Sequence, residues 1–204
     1  MASIELRPDG PLAVSGEYEL KHSDGQPVVH REVVAKLCRC GGSQNKPFCD
    51  GTHRRNGFSG ARAADGSADK VDAYVGSGIT IHDNRSVCAH AGKCTDGLPA
   101  VFKYGSEPWI DPNGGLSQTA MEIVRHCPSG ALSYSIDGVA PTAEQWPASI
   151  EVTKDGPYAV LGMELQGVPF AQGVPTQRYT LCRCGASKNK PFCDGSHYEV
   201  GFKG

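Results

Sequence analysis

Twenty-two residues from Leu37 to Phe58, LCRCGGSQNKPFCDGTHRRNGF, return from Leu181 to Phe202 as LCRCGASKNKPFCDGSHYEVGF, with 16 positions identical and a constant offset of 144. A chain that repeats a cysteine-rich loop this closely builds one kind of site twice. Each copy carries C-x-C-x8-C-x3-H. The ligand candidates are Cys38, Cys40, Cys49 and His53 in the first copy, and Cys182, Cys184, Cys193 and His197 in the second. Three thiolates and one imidazole suit either zinc or an iron–sulfur cluster. Structural zinc usually draws a ligand pair from a C-x2-4-C turn. Here only Arg39 or Arg183 separates the first pair. Two thiolates of C-x-C can share one iron, which leaves the third cysteine and the histidine for a second. Zinc stays the competing occupant and predicts a colourless protein.

The flanks fit a buried inorganic anion. Gly41, Ser43 and Asn45, with Gly185, Ser187 and Asn189, suit a tight turn with amides aimed at sulfur, and Pro47 or Pro191 stiffens the approach to the third cysteine. Cys49 and His53 are four residues apart, a spacing that puts them on one face of a short helix. Asp50 and Asp194 are placed to cap its free amides. Lys46 and Lys190 read as solvated loop charges, with a place near the cluster, favouring its reduced form, as the alternative.

Cys49-Asp50-Gly51-Thr52-His53 and Cys193-Asp194-Gly195-Ser196-His197, each preceded by C-x-C, resemble the CDGSH iron–sulfur (mitoNEET-like) family. The first copy has Thr52 where the family name has serine. The resemblance implies a redox-active 2Fe–2S cluster in each copy, held by a pair of chains packed side by side.

The repeat is longer than the loop. Ile4–Gly16 reads IELRPDGPLAVSG and Ile150–Gly162 reads IEVTKDGPYAVLG, so it runs roughly 4–58 and 150–202. The front offset is 146, so the second copy has lost two residues before its metal loop. Short strands broken by Asp-Gly-Pro turns are expected, with strands at Val33–Leu37 and Arg178–Leu181 leading into each site. A unit of about fifty residues buries too little surface to be secure alone. The two copies are therefore expected to pack on each other as an internal pseudo-dimer within a monomer.

Between the copies, Ser59–Lys70 reads as a linker and 71–137 as a different unit. A strand is expected at Ile79–His82 and another at Leu98–Phe102. Thr119-x-x-Glu122 is a capping-box start for a helix to His126, and Ala131–Tyr134 is a closing strand. Cys88, Cys94 and Cys127 are its ligand candidates. Cys127-Pro128 matches the closing C-P of bacterial ferredoxin ligation, and Cys88 and Cys94 fill the first and third places of C-x2-C-x2-C. The second place, position 91, is alanine. Three thiolates suit a 3Fe–4S cluster; His90 as a fourth ligand would give 4Fe–4S. Residues 79–135 resemble three-iron ferredoxins and the divergent ferredoxin-like domains found with CDGSH repeats.

The expected fold class is therefore α+β, mostly short strands, with domains at 1–60, 71–137 and 148–204. Its 26 glycines and 14 prolines favour turns over long helices. A formal charge of −2 gives no electrostatic case for nucleic acid or an anionic membrane. An odd count of nine cysteines argues against a disulfide scaffold and for a reducing, cytoplasmic setting. MASIELRPDG lacks the features of a secretory signal, and no apolar window approaches a membrane span. No nucleotide loop, nucleophile elbow or paired-carboxylate signature is present, so an enzyme is not expected. The expected function is electron transfer with a redox partner protein. The alternative is a cluster donor to an apo-acceptor, or a redox and pH sensor. In that alternative His53 and His197 are solvent-side, acid-labile ligands.

Overall fold

The computed structural model describes residues 2–67 and 69–204; Met1, and Ala68 in the expected first linker, lie outside the described residues. The first copy contributes β1 (Ser3–Leu6), β2 (Leu12–Ser15), β3 (Glu19–His22) and β4 (Ala35–Leu37). The middle segment contributes β5 (Asp72–Val75), β6 (Thr80–Asp83), α1 (Lys93–Gly97), α2 (Ser117–Arg125) and β7 (Leu132–Ser135). The second copy follows with β8 (Ser149–Val152), β9 (Tyr158–Leu161), β10 (Glu164–Gln166), β11 (Arg178–Leu181) and α3 (Ser196–Glu199). The fold is α+β and mostly short strand, as the pattern of turns implies.

The two copies form a pseudo-dimer, and they do so by exchanging a strand. One sheet runs β10-β1-β2-β4 and the other β11-β9-β8-β3. In each, the outermost strand comes from the other copy. β10 pairs parallel with β1, Ile4 opposite Leu165, and β3 pairs parallel with β8, Leu20 opposite Ile150. Within each copy the neighbours are antiparallel, as short turns dictate. Ile4, Val14 and Leu37 of one copy and Ile150, Val160 and Leu181 of the other sit in a single buried core. Neither copy encloses that core by itself.

The middle domain has its own antiparallel sheet, β5-β6-β7, and a separate core of Ile79, Ile81, Phe102, Trp109, Val124 and Leu132. Three local expectations change here. α2 begins at Ser117 behind Leu116, which makes no side-chain cap, so Thr119 lies inside the helix and opens no capping box. Leu98–Phe102 is not a strand: Leu98 closes α1, Pro99 brings no amide, and only Phe102 pairs, in one bridge with Ile110. β4 starts at Ala35 rather than Val33, whose side chain is 92% exposed and has no core to enter. No helix among the described residues is long and apolar enough to cross a membrane.

Candidate metal centres

Each CDGSH loop is built by the same contacts. The amide of Cys38 donates to the Pro47 carbonyl and that of Cys49 to Lys36, so both limbs of the loop are tied to the end of β4. Cys182 and Cys193 make the matching bonds to Pro191 and Thr180. Ser43 Oγ donates to the Phe48 carbonyl at 2.6 Å, and Ser187 to that of Phe192 at 2.7 Å. The Asp50 carboxylate clamps two turns, accepting from the amides of Gln44 and Thr52; Asp194 accepts from Lys188 and Ser196. The hydrogen bonds from Gln44 and then Thr52 favour the ionised form and hold the Asp50 carboxyl well below the usual carboxylate range.

The expected helix through Cys49 and His53 is shorter than the spacing suggests. It begins at Thr52 in the first copy and Ser196 in the second, behind a left-handed glycine, Gly51 or Gly195. The third cysteine therefore approaches from the loop. It still meets the histidine: Cys49 Sγ lies 3.3 Å from His53 Nδ1, and Cys193 Sγ lies 3.4 Å from His197 Nδ1. Cys38 and Cys40 sulfurs are 3.7 Å apart, as are those of Cys182 and Cys184.

Those distances test the fit of a cluster. Two sulfurs bound at about 2.3 Å to one tetrahedral metal lie about 3.8 Å apart, and a sulfur and an imidazole nitrogen about 3.5 Å apart. Each site thus holds two donor pairs, each with the span of one metal. Among the described residues, no three such side chains gather round a single ion position. All nine cysteines are free thiols. Backbone amides reach sulfur as well, Gly51 to Cys49 and Ala186 to Cys184, each at 3.4 Å. Burial pushes the Cys38 thiol up, and Cys193 up to about 12. Cys182 is raised by its contact with Cys184 and by burial, while Cys184 falls to about 7. A bound cation would favour the ionised form of the buried Cys38, Cys182 and Cys193 thiols.

The two sites lean on each other. A Cβ on Gly41 would lie 2.3 Å from the Cys184 carbonyl oxygen, and one on Gly185 would lie 2.6 Å from that of Cys40. Only glycine admits this backbone approach. Arg39 and Arg183, inside the C-x-C pairs, are buried and have no carboxylate partner among the salt bridges of the described residues. Arg39 donates to the Gly10 and Arg7 carbonyls, and Arg183 to Thr153 and Gly156. Arg39 Nη1 and Arg183 Nε remain unpaired. Burial lowers both guanidinium pKa values; Cys182 of the other copy opposes this for Arg39, and Tyr158, then Cys38 of the other copy, for Arg183. Arg39 and Arg183 would offset the charge of an anionic cluster held in these sites. Lys46 and Lys190 are not free loop charges: each ammonium sits over the terminal phenylalanine of the other copy, Phe202 at 5.8 Å and Phe58 at 5.9 Å.

The symmetry is broken in two places. Tyr158 of β9 is fully buried, and its hydroxyl meets the carbonyls of Cys38 at 2.8 Å and Pro47 at 3.0 Å. The matching residue under the second site is Leu12. His53 is half-buried, whereas His197 is 5% exposed, against Tyr198. The expectation of two solvent-side histidines therefore holds for one; the middle domain covers the other.

In the middle domain Cys88, Cys94 and Cys127 line one cavity of about 800 Å³, with Arg85 and Asp83 on its wall. Cys94 is raised to about 11 by burial and then by the charge of Cys127. Cys88 is raised by burial first and also by Cys127. Three thiols that repel one another's ionisation around a shared space fit a cationic cluster core. His90, the fourth-ligand alternative, turns its ring onto Gly195 of the second copy. The sequence reading missed Tyr158, Arg39 and Arg183 as site neighbours. The only signal for them was the repeat itself, which conserves the arginine inside C-x-C and changes Leu12 to Tyr158.

Paired strand-exchanged units, each carrying a Cys3His loop, with a small three-cysteine domain between them in sequence, define an iron–sulfur protein. Residues 9–54 and 155–198 match the family described as iron-binding zinc finger, CDGSH type, and residues 74–137 match the divergent 4Fe-4S mono-cluster family. A 61-residue stretch, 30% of this chain, is 36% identical to the uncharacterized protein YjdI of Escherichia coli K12 and covers 80% of it. The same figures hold for YjdI of Escherichia coli O157:H7. The chain belongs to the CDGSH family, with a divergent mono-cluster domain between its two CDGSH domains.

Proposed function

We propose that this protein is an electron carrier rather than an enzyme, working in the cytoplasm with a redox partner protein. In this reading Cys38, Cys40, Cys49 and His53 hold one 2Fe–2S cluster, and Cys182, Cys184, Cys193 and His197 a second. Cys88, Cys94 and Cys127 hold a 3Fe–4S cluster. The observation that carries it is the division of each four-ligand set into two metal-spanning pairs, 3.7 Å and 3.3–3.4 Å wide. A single zinc ion would draw all four donors to one point.

Each cluster, when bound, supplies reversible one-electron chemistry. The chain's own part is to bind, bury and orient. Asp50 and Asp194 lock the loops, so the ligands need not move between redox states. Arg39 and Arg183 offset the negative charge on each site from the opposite copy. The first site offers the way in for a partner. Its rim carries the exposed Lys36, Arg54 and Arg55. Position for position, the second copy has Thr180, Tyr198 and Glu199 there. A basic rim beside a half-buried His53 favours an acidic redox protein.

The test is redox cycling. Protein prepared without oxygen, then reduced and reoxidised repeatedly by a one-electron carrier, is expected to bleach and recover with its iron retained. Transfer of iron and sulfide to an apo-ferredoxin at a comparable rate would replace this reading with that of a cluster donor.

A further inference from the structure

The middle domain rests on one CDGSH copy and leaves the other uncovered. The ring of His90 packs on Gly195, where a Cβ would lie 2.5 Å from His90 Cδ2. The His90 carbonyl accepts from the Tyr198 hydroxyl at 3.2 Å. Asn189 Nδ2 donates to the Ser86 carbonyl at 2.6 Å, joining the second metal loop to the turn before Cys88. Gly130, in the turn after Cys127, lies against Pro175 and the Arg178 carbonyl. The cavity that holds the three middle cysteines has Asp194, Gly195 and Tyr198 as its opposite wall. Cys88 and Cys127 pack against the CDGSH core, and Cys94 and Cys127 against the core of the middle domain.

The first copy offers a matched comparison within the same chain. Gly51 has the same backbone conformation as Gly195, φ 85 against 86, yet a Cβ there meets no atom within 4 Å. Arg54, Arg55, Tyr198 and Glu199 are all exposed, but Tyr198 and Glu199 also line the cavity of the middle cysteines, which Arg54 and Arg55 do not. The two CDGSH sites touch through the Gly41–Cys184 and Gly185–Cys40 backbone contacts.

We propose that the site of Cys88, Cys94 and Cys127 and the second CDGSH site form a directly coupled pair across the His90–Gly195 junction, and that the middle site reaches the first CDGSH site only through the second. This rests on the electron-carrier reading. The step is the passage of one electron between the two sites, one oxidised by one and the other reduced by one. No bond forms or breaks, and the electron is supplied or removed by the external one-electron carrier. Electron transfer weakens steeply with distance, so a chain of packed contacts sets the order of exchange. The first site, with its basic rim, meets the partner, and the coupled pair lies behind it.

The experiment is paramagnetic resonance on the full chain, poised so that the middle centre and the CDGSH centres are paramagnetic together. The wild-type middle signal is expected to show splitting or fast relaxation from its neighbour. Gly195→Ala, which drives a methyl into His90, is expected to lose that coupling. Gly51→Ala, which carries the same backbone strain, is expected to keep it. His90→Gly, which preserves the left-handed backbone at φ 53, removes the ring without inserting a methyl and is expected to weaken the coupling. An uncoupled wild-type middle signal, or equal losses in the two alanine variants, overturns the inference while the carrier reading stands. Absence of any iron–sulfur signal overturns both.

Discussion

Tyr158 and Leu12 hold the same place in the two copies, and that difference gives the first CDGSH site a buried hydroxyl that the second lacks. The phenol satisfies the carbonyl of Cys38 from inside the core, where no water reaches. Tyr158→Phe leaves that acceptor without its donor. It is expected to cost about 1–2 kcal/mol in denaturant unfolding and to perturb the first site's spectrum but not the second's. Loss of signal from both sites together would show that the hydroxyl serves the whole core. The histidines allow a second prediction. Replacing neutral imidazole with thiolate adds negative charge, so His53→Cys and His197→Cys are each expected to lower the potential of their own centre in redox titration. An unchanged potential would mean the histidine is not a ligand. The meeting of Cys38 with Cys40 and of Cys49 with His53, and of their counterparts in the second copy, was legible at this scale because that spacing is local. Arg39 and Arg183 were not, because their work is done across the pseudo-two-fold axis, which sequence spacing does not display.

The exchange of β3 and β10 is the feature of the strands that sequence could not supply. Both copies carry nearly the same front half, so the hydrophobic pattern fits a third strand returning to its own sheet as well as one crossing to its twin. Crossing wins in the structure because it places Leu20 and Leu165 over a core that both copies share. The need for a partner was legible, since each copy is too small to close a core; the manner of pairing was not. A metal-loaded fragment of residues 1–67 is therefore expected to sediment as a dimer, with β3 of each copy on β1 of the other. A stable folded monomer would contradict the exchange. The helix starts were misread for a related reason. Left-handed Gly51 and Gly195 postpone the helix past the cysteine, a backbone effect that four-residue spacing hides.

Across the whole molecule, duplication has produced two sites with different surroundings. The second site is roofed by the middle domain, while the first keeps an open rim of Lys36, Arg54 and Arg55. Sequence comparison of the copies displays the exchange of Arg54-Arg55 for Tyr198-Glu199. It does not say that the change marks an internal docking face, because the middle domain's position depends on contacts over a hundred residues apart, such as Tyr198 with His90. If the open rim meets an acidic carrier, electron exchange with a flavodoxin or an acidic ferredoxin should slow as salt rises. Arg54→Glu with Arg55→Glu should flatten that dependence and slow exchange about tenfold or more at low salt. A rate indifferent to salt and to both changes would place the partner elsewhere.

The central claim is that both Cys3His loops hold iron–sulfide clusters rather than single ions, and metal and sulfide analysis of anaerobically purified protein tests it most directly. Two two-iron centres and one three-iron centre give about seven irons and about eight inorganic sulfides per chain. Reduction should bring up paramagnetic signals from the two CDGSH centres, and the oxidised protein should show one from the middle centre. A colourless chain with zinc and no sulfide would contradict the account.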